Sequence, residues 1–248
     1  KLMKKIFIAG HKGMVGSSIL RKLENKSNKI IVSDKKNLNL LDQFSVFNFF
    51  KKYKFDQVYL CAARVGGIHA NSTYVADFIY QNLQIQNNCI HAAYLTKVKK
   101  LMFLGSSCIY PKKPKIPIKE EYLLTGELEK TNEPYSIAKI AGIKLCESYR
   151  KQYGCNFISV NPCNVYGPND KFDPMHGHVM SSLIYKIWKA NKENDGEVQC
   201  FGDGTPRREF IYNEDLADAS LFLMSKYDES EMINIGTGID YDARITEI

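Results

Sequence analysis

Long apolar runs are missing from this chain of 248 residues. None approaches the roughly 18 residues that read as a membrane span, so no membrane partner is expected. The first strand-like run starts at Lys5, which leaves no room for a signal peptide; Lys1 and Leu2 read as a cloning remnant ahead of Met3. A cytoplasmic location is the expectation. No C-x-x-C pair occurs among the seven cysteines, and seven is an odd number. Neither a disulfide framework nor a zinc site follows, and no metal is expected. Basic blocks are absent as well: the net charge is +7, but 28 of the 34 basic residues are lysines scattered along the chain. A nucleic-acid partner would call for a basic stripe with base-reading side chains, so none is expected, whereas an anionic ligand suits the balance. No repeat or low-complexity linker marks a domain boundary.

Hydrophobic residues make up 44% of the chain and charged residues 25%. That is ordinary globular usage and excludes a disordered or collagen-like chain. The run Lys5-Ile6-Phe7-Ile8-Ala9 ends at Gly10, and residues 15–26 carry Val15, Ile19, Leu20 and Leu23 at helical spacing. Further strands are expected over 30–32, 57–61, 100–104 and 157–160, and helices over 43–53, 74–94 and 135–153. Strands that alternate with helices predict an α/β fold with a Rossmann-like, doubly wound parallel sheet. Beyond Pro168 the pattern loosens. Residues 1–165 are therefore expected as a dinucleotide-binding domain and 166–248 as a smaller C-terminal substrate-binding cap, with 176–188 and 198–212 lying over the carboxyl edge of the sheet.

Gly10-His11-Lys12-Gly13-Met14-Val15-Gly16 is a G-x-x-G-x-x-G turn placed after a strand and opening a helix. Glycines there permit a tight turn and close approach to a pyrophosphate, to which the helix start offers free amides and a positive dipole end. The choice between NAD and NADP stays open at this level. Asp34, at the end of the second strand, suits a ribose 2′-hydroxyl, whereas Lys12, Lys35 and Lys36 suit a 2′-phosphate.

The fourth strand runs into Gly105-Ser106-Ser107-Cys108-Ile109-Tyr110, and a later helix begins Glu133-Pro134-Tyr135-Ser136-Ile137-Ala138-Lys139. Tyr135 and Lys139 are four apart and share a helix face. An ammonium beside the phenol is expected to lower its pKa and make Tyr135 a general acid toward a carbonyl oxygen, with Ser106 bonding the same oxygen. His11, His69, His91 and His176 carry no functional expectation.

These motifs resemble the extended short-chain dehydrogenase/reductase superfamily. Within it, the blocks Ala9 to Ser17, Val65-Gly66-Gly67-Ile68, Ala76 to Asn82, Gly105 to Pro111 and Asn132 to Tyr149 resemble the GDP-L-fucose synthase family, epimerase-reductases of GDP-4-keto-6-deoxymannose. The resemblance implies NADPH as cofactor, a GDP-linked 4-keto sugar as substrate and a homodimer. It implies that Cys108 and His178 exchange protons at sugar carbons C3 and C5, and that Tyr135, Lys139 and Ser106 serve reduction at C4. It also implies cofactor contacts from Gly10, Lys12, Gly13, Met14, Val15, Gly16, Lys35, Lys36, Lys139, Pro162, Asn164 and Val165. Substrate contacts fall on Lys186, Phe201 and Arg208, the last suited to a diphosphate. Phe201 stands where the family has tryptophan, and Lys186 where it has arginine. The chain ends at Ile248, where the family continues for several dozen residues, so an incomplete cap is expected.

Two rivals follow. One is a C4 reductase of a related GDP-4-keto sugar, such as a 6-deoxy-heptose, since pocket shape decides which sugar fits. The other is a dinucleotide-binding sensor without turnover, against which stands the joint presence of Ser106, Tyr135 and Lys139.

Overall fold

A computed structural model describes residues 3–24, 27–200, 202, 204, 207–238 and 242–244. Its main sheet has six parallel strands in the order β2-β1-β3-β4-β5-β8. These are β1 (Lys5–Ala9), β2 (Lys29–Ile31), β3 (Gln57–Leu60), β4 (Lys100–Leu104), β5 (Phe157–Pro162) and β8 (Ile233–Ile235). The strands read as continuous apolar runs because both sheet faces are covered. Along β1, Ile6 and Ile8 enter one core while Phe7 and Ala9 enter the other. Leu101 and Phe103 against Met102 and Leu104 repeat the alternation on β4.

One face carries α1 (Met14–Glu24) and α7 (Asn213–Lys226); the other carries α2 (Gln43–Tyr53), α4 (Val75–Leu95) and α5 (Glu133–Tyr153). The short α3 (Ile68–Thr73) precedes α4. Local chemistry sets these boundaries. Asp42 accepts the Phe44 amide at the start of α2, Pro134 sits in the first turn of α5, and Gly154 ends α5 in the left-handed region at φ 67°. The expected helix and strand at 43–53 and 100–104 have those limits. Lys26, the expected last residue of the first helix, lies outside the described residues.

A second sheet holds β6 (Asn164–Tyr166), β7 (Arg207–Tyr212) and β9 (Asp242–Arg244), with α6 (Val179–Glu193) between β6 and β7 in the chain. The span 166–248 also returns α7 and β8 to the main sheet's layers. Because β2 and β3 flank β1 on opposite sides, the winding reverses at the carboxyl ends of β1 and β3, the crevice where open α/β sheets bind ligands. No helix among the described residues is long and apolar enough to cross a membrane.

Candidate active site

The turn after β1 is built for close approach. Gly10 has φ +87°, and a Cβ there would lie 2.8 Å from the Ala62 backbone nitrogen; a Cβ on Gly16 would overlap the Gly10 carbonyl oxygen. Gly13 closes the turn by donating to Gly10, N to O 3.0 Å. The first turn of α1 carries no acidic side chain, so its positive end is free for an anion. Asp34 does not face this crevice as a bare charge: Lys12 pairs with it at 2.7 Å and His11 approaches it at 3.4 Å. The Lys12 hydrogen bond leads in holding the Asp34 carboxyl below its ordinary range, with the Lys36 charge adding to it. Lys35 and Lys36 are exposed beside it. A neutralised carboxylate among lysines fits a ribose 2′-phosphate, so this cradle suits NADP(H).

The second half of the site forms where β4 meets α5. Gly142 lets α5 press on β4: a Cβ there would overlap the Phe103 ring. Lys139 is thereby buried, donating to the Leu104 carbonyl at 2.7 Å, with its ammonium 4.9 Å from the Phe103 ring centre and 5.7 Å from that of Tyr135. Burial pulls the lysine down to about 8, opposed by Cys61. The expectation for Tyr135 needs correction here. Its phenol is pushed up, chiefly by burial and further by Cys108, while Ser106 works the other way. The Lys139 ammonium bonds a backbone carbonyl and not the phenol oxygen, and burial prevails, so Tyr135 is held in its protonated form.

Ser106 caps a short 3₁₀ turn, Ser107–Ile109, by accepting the Cys108 amide at 3.3 Å. Across the cleft, Asn132 donates from Nδ2 to the Cys108 sulfur at 3.3 Å. Burial pushes the Cys108 thiol up; Ser106, the Arg208 charge and the Asn132 amide oppose it. Ser106, Cys108, Tyr135 and Lys139 are thus brought together, and Arg208 acts on the same thiol.

His178 opens α6 and is paired, Nδ1 to Asp170 Oδ1, at 2.9 Å. Its loop docks on the segment after β3: the Gly67 amide donates to the His176 carbonyl at 3.1 Å, and Gly66 lies beside Phe78, whose ring meets Tyr135 edge-on at 6.4 Å. Asn164 donates to the Glu209 carbonyl at 3.0 Å, which ties β6 to β7, and Lys186 donates to the Gln199 carbonyl at 2.9 Å. Pro162 ends β5 and Val165 packs from β6 against the α1/α7 core. Phe201 lies outside the described residues. Two participants, Asn132 and Asp170, carry no expectation from the sequence. Asn132 stands in a block the resemblance quotes, but its contact with Cys108 spans 24 positions of irregular chain. No spacing encodes that contact.

Three comparisons bear on this site. The model of the NAD dependent epimerase/dehydratase family matches residues 6–236. A GDP-L-fucose synthase of Escherichia coli (strain K12) is 51% identical over an alignment of 251 positions that covers 97% of this chain and 78% of that protein. A GDP-L-fucose synthetase from Naegleria fowleri bound to NADP superposes with TM-score 0.90 at 31% identity, covering 98% of this chain and 80% of that one. A GDP-mannoheptose C4 reductase from Campylobacter jejuni with NADP bound gives TM-score 0.89 at 38% identity, over 100% of this chain and 83% of that one.

Proposed function

The chain belongs to the NAD dependent epimerase/dehydratase family, and on that footing we propose that it converts GDP-4-keto-6-deoxymannose to GDP-L-fucose with NADPH. The observation that carries this reading is the convergence of Ser106, Cys108, Tyr135 and Lys139 where β4 meets α5, beside a glycine cradle suited to a pyrophosphate. The C4 ketone of the substrate acidifies the hydrogens on C3 and C5. Cys108, as thiolate, takes a proton from the ring carbon, and His178 returns one to the opposite face, which inverts the centre. Bound NADPH supplies the hydride that reduces C4. Tyr135 then gives its phenolic proton to O4, with Ser106 donating to the same oxygen and Lys139 holding the α5 start against β4.

Gly10, Gly13, Met14, Val15 and Gly16 cradle the pyrophosphate; Lys12, Lys35 and Lys36 receive the 2′-phosphate; Pro162, Asn164 and Val165 border the nicotinamide end. Lys186 and Arg208 take the GDP diphosphate. The protein works as a homodimer in the cytoplasm. A rival, reduction at C4 of a GDP-heptose derivative without epimerisation, draws on the likeness to the Campylobacter reductase, at 38% identity against 51% for the Escherichia coli synthase.

Incubation with GDP-4-keto-6-deoxymannose and NADPH in D2O separates the two. Deuterium at C3 and C5 of a galacto-configured product is expected. Reduction without exchange would favour the rival, and absence of turnover would leave a dinucleotide-binding protein. Tyr135→Phe should lower reduction by roughly 100-fold or more while NADPH binding is kept.

A further inference from the structure

Two histidine–aspartate pairs stand within the loop that leads into α6, and they differ in kind. His176 approaches Asp173 at 3.2 Å, but Asp173 also accepts the amides of Met175 and His176 at 2.9 and 2.7 Å, and both side chains of the pair are about a third exposed, 37% and 33%. That carboxylate closes its own loop. Asp170 is otherwise placed: its side chain is 5% exposed, and Oδ1 accepts the Lys171 amide at 2.8 Å and faces His178 Nδ1 at 2.9 Å. Burial pushes the Asp170 carboxyl up, yet the pairing with His178, joined by the Lys171 amide and the Ser181 hydroxyl, outweighs it and the group is held below the ordinary carboxylate range. An ionised carboxylate only accepts, so the proton of this bond sits on Nδ1.

The backbone that carries the imidazole is also fixed. The His178 carbonyl accepts the Ser182 amide at 2.8 Å and the Ser181 hydroxyl at 3.0 Å, and no side-chain capping bond diverts the ring. Asp170 in turn follows a segment anchored to the main layer. Asn169 donates to the Ser17 hydroxyl on α1 at 3.0 Å, and Asn213 donates to the carbonyls of Pro168 and Met14 at 3.1 and 3.2 Å. The ring is therefore referenced, through Asp170, to the helix that follows the glycine turn.

We propose that Asp170 is a positioning residue for proton transfer by His178: its buried carboxylate locks the imidazole with a proton on Nδ1 and so makes Nε2 the nitrogen that exchanges protons with the sugar. The proposal rests on the role given to His178 above. As imidazolium, His178 gives the Nε2 proton to the ring carbon and becomes neutral with the Nδ1 proton retained against Asp170. Nε2 then takes a proton from solvent, and the Cys108 thiol gives its own to solvent, before the second centre reacts. Without Asp170 the neutral ring populates both tautomers, and in one of them Nε2 is blocked as an acceptor.

The test uses the whole protein labelled with 15N-histidine, as wild type, Asp170→Asn, Asp170→Glu and His178→Gln, the last to identify the His178 signal. The neutral wild-type ring is expected as the Nδ1–H tautomer. Asp170→Asn should shift it toward Nε2–H and slow deuterium incorporation at C3 and C5 of GDP-4-keto-6-deoxymannose about tenfold or more, with NADPH affinity kept. Asp170→Glu should restore part of both. An unaltered tautomer in Asp170→Asn, or exchange lost in His178→Gln but intact in Asp170→Asn, would overturn the role of Asp170 alone. Full exchange in His178→Gln would sink the assignment of His178 and this proposal with it.

Discussion

The side-chain amide of Asn132 donates to the sulfur of Cys108 at 3.3 Å, across the cleft between the end of β4 and the start of α5. The thiol lies in surroundings that push its pKa up, and this amide, with Ser106, the Arg208 charge and the backbone amide of Cys108, resists the rise. A donor aimed at sulfur is worth most when the sulfur is charged.

Asn132→Ala should therefore raise the Cys108 pKa further and slow C3/C5 exchange by about 10-fold to 100-fold, the worth of a hydrogen bond to a charged group. The rate of Cys108 alkylation against pH, read by mass spectrometry of its peptide, checks the cause. An unchanged profile would remove Asn132 from the activation of the thiol.

Lys139 offers a stability test with a definite sign. Its folded value of about 8 lies below its ordinary 10.5, so between those limits the unfolded chain binds more protons than the folded one. Stability from this group therefore rises with pH from about 8 to 10.5 and is absent below 8. The full window corresponds to about 3 kcal/mol. Urea unfolding of wild type and Lys139→Met at pH 7.5, 9 and 10.5 should show the wild type gaining on the variant. Parallel curves would contradict a buried, depressed ammonium.

Cofactor choice should turn on Lys12. Its ion pair with Asp34 at 2.7 Å is exposed and contributes little to stability, but it masks a carboxylate at the crevice. Lys12→Ala uncovers Asp34 and removes the partner proposed for the 2′-phosphate. The ratio of kcat/KM for NADPH over NADH should fall by about tenfold or more. Steady-state kinetics with both cofactors decides it, and an unchanged ratio would place the 2′-phosphate on other residues.

Gly142 sets two effects against each other. Alanine favours a helix interior over glycine by about 1 kcal/mol. The added Cβ would overlap the Phe103 ring, and overpacking of this kind costs about 1–3 kcal/mol. Gly142→Ala is thus expected to destabilise the protein and, by lifting α5 from β4, to lower kcat for reduction. Thermal unfolding and turnover should fall together; a stabilised, fully active variant would show that this contact does not set the position of Tyr135.

Much of the fold is legible in the chain because its signals are local. The apolar runs of β1, β3, β4 and β5, the Gly10 turn and the Tyr135/Lys139 face all depend on neighbours within a few positions. Three helices, α3, α6 and α7, carry weaker signals. α3 is only six residues long, and the buried stripe of α7, Leu216, Ala217, Ser220, Leu223 and Met224, is diluted by small residues.

The alternation of strand and helix, the glycine cradle and the residue types at the site are written along the chain, set by backbone sterics and short-range periodicity. Which charges meet is settled on folding. Burial against Phe103 bonded Lys139 to the Leu104 carbonyl instead of the phenol, and loop closure brought Asn132 to Cys108 and Asp170 to His178. Desolvation and long-range pairing depend on what the folded chain excludes from water, and no spacing along the sequence records that.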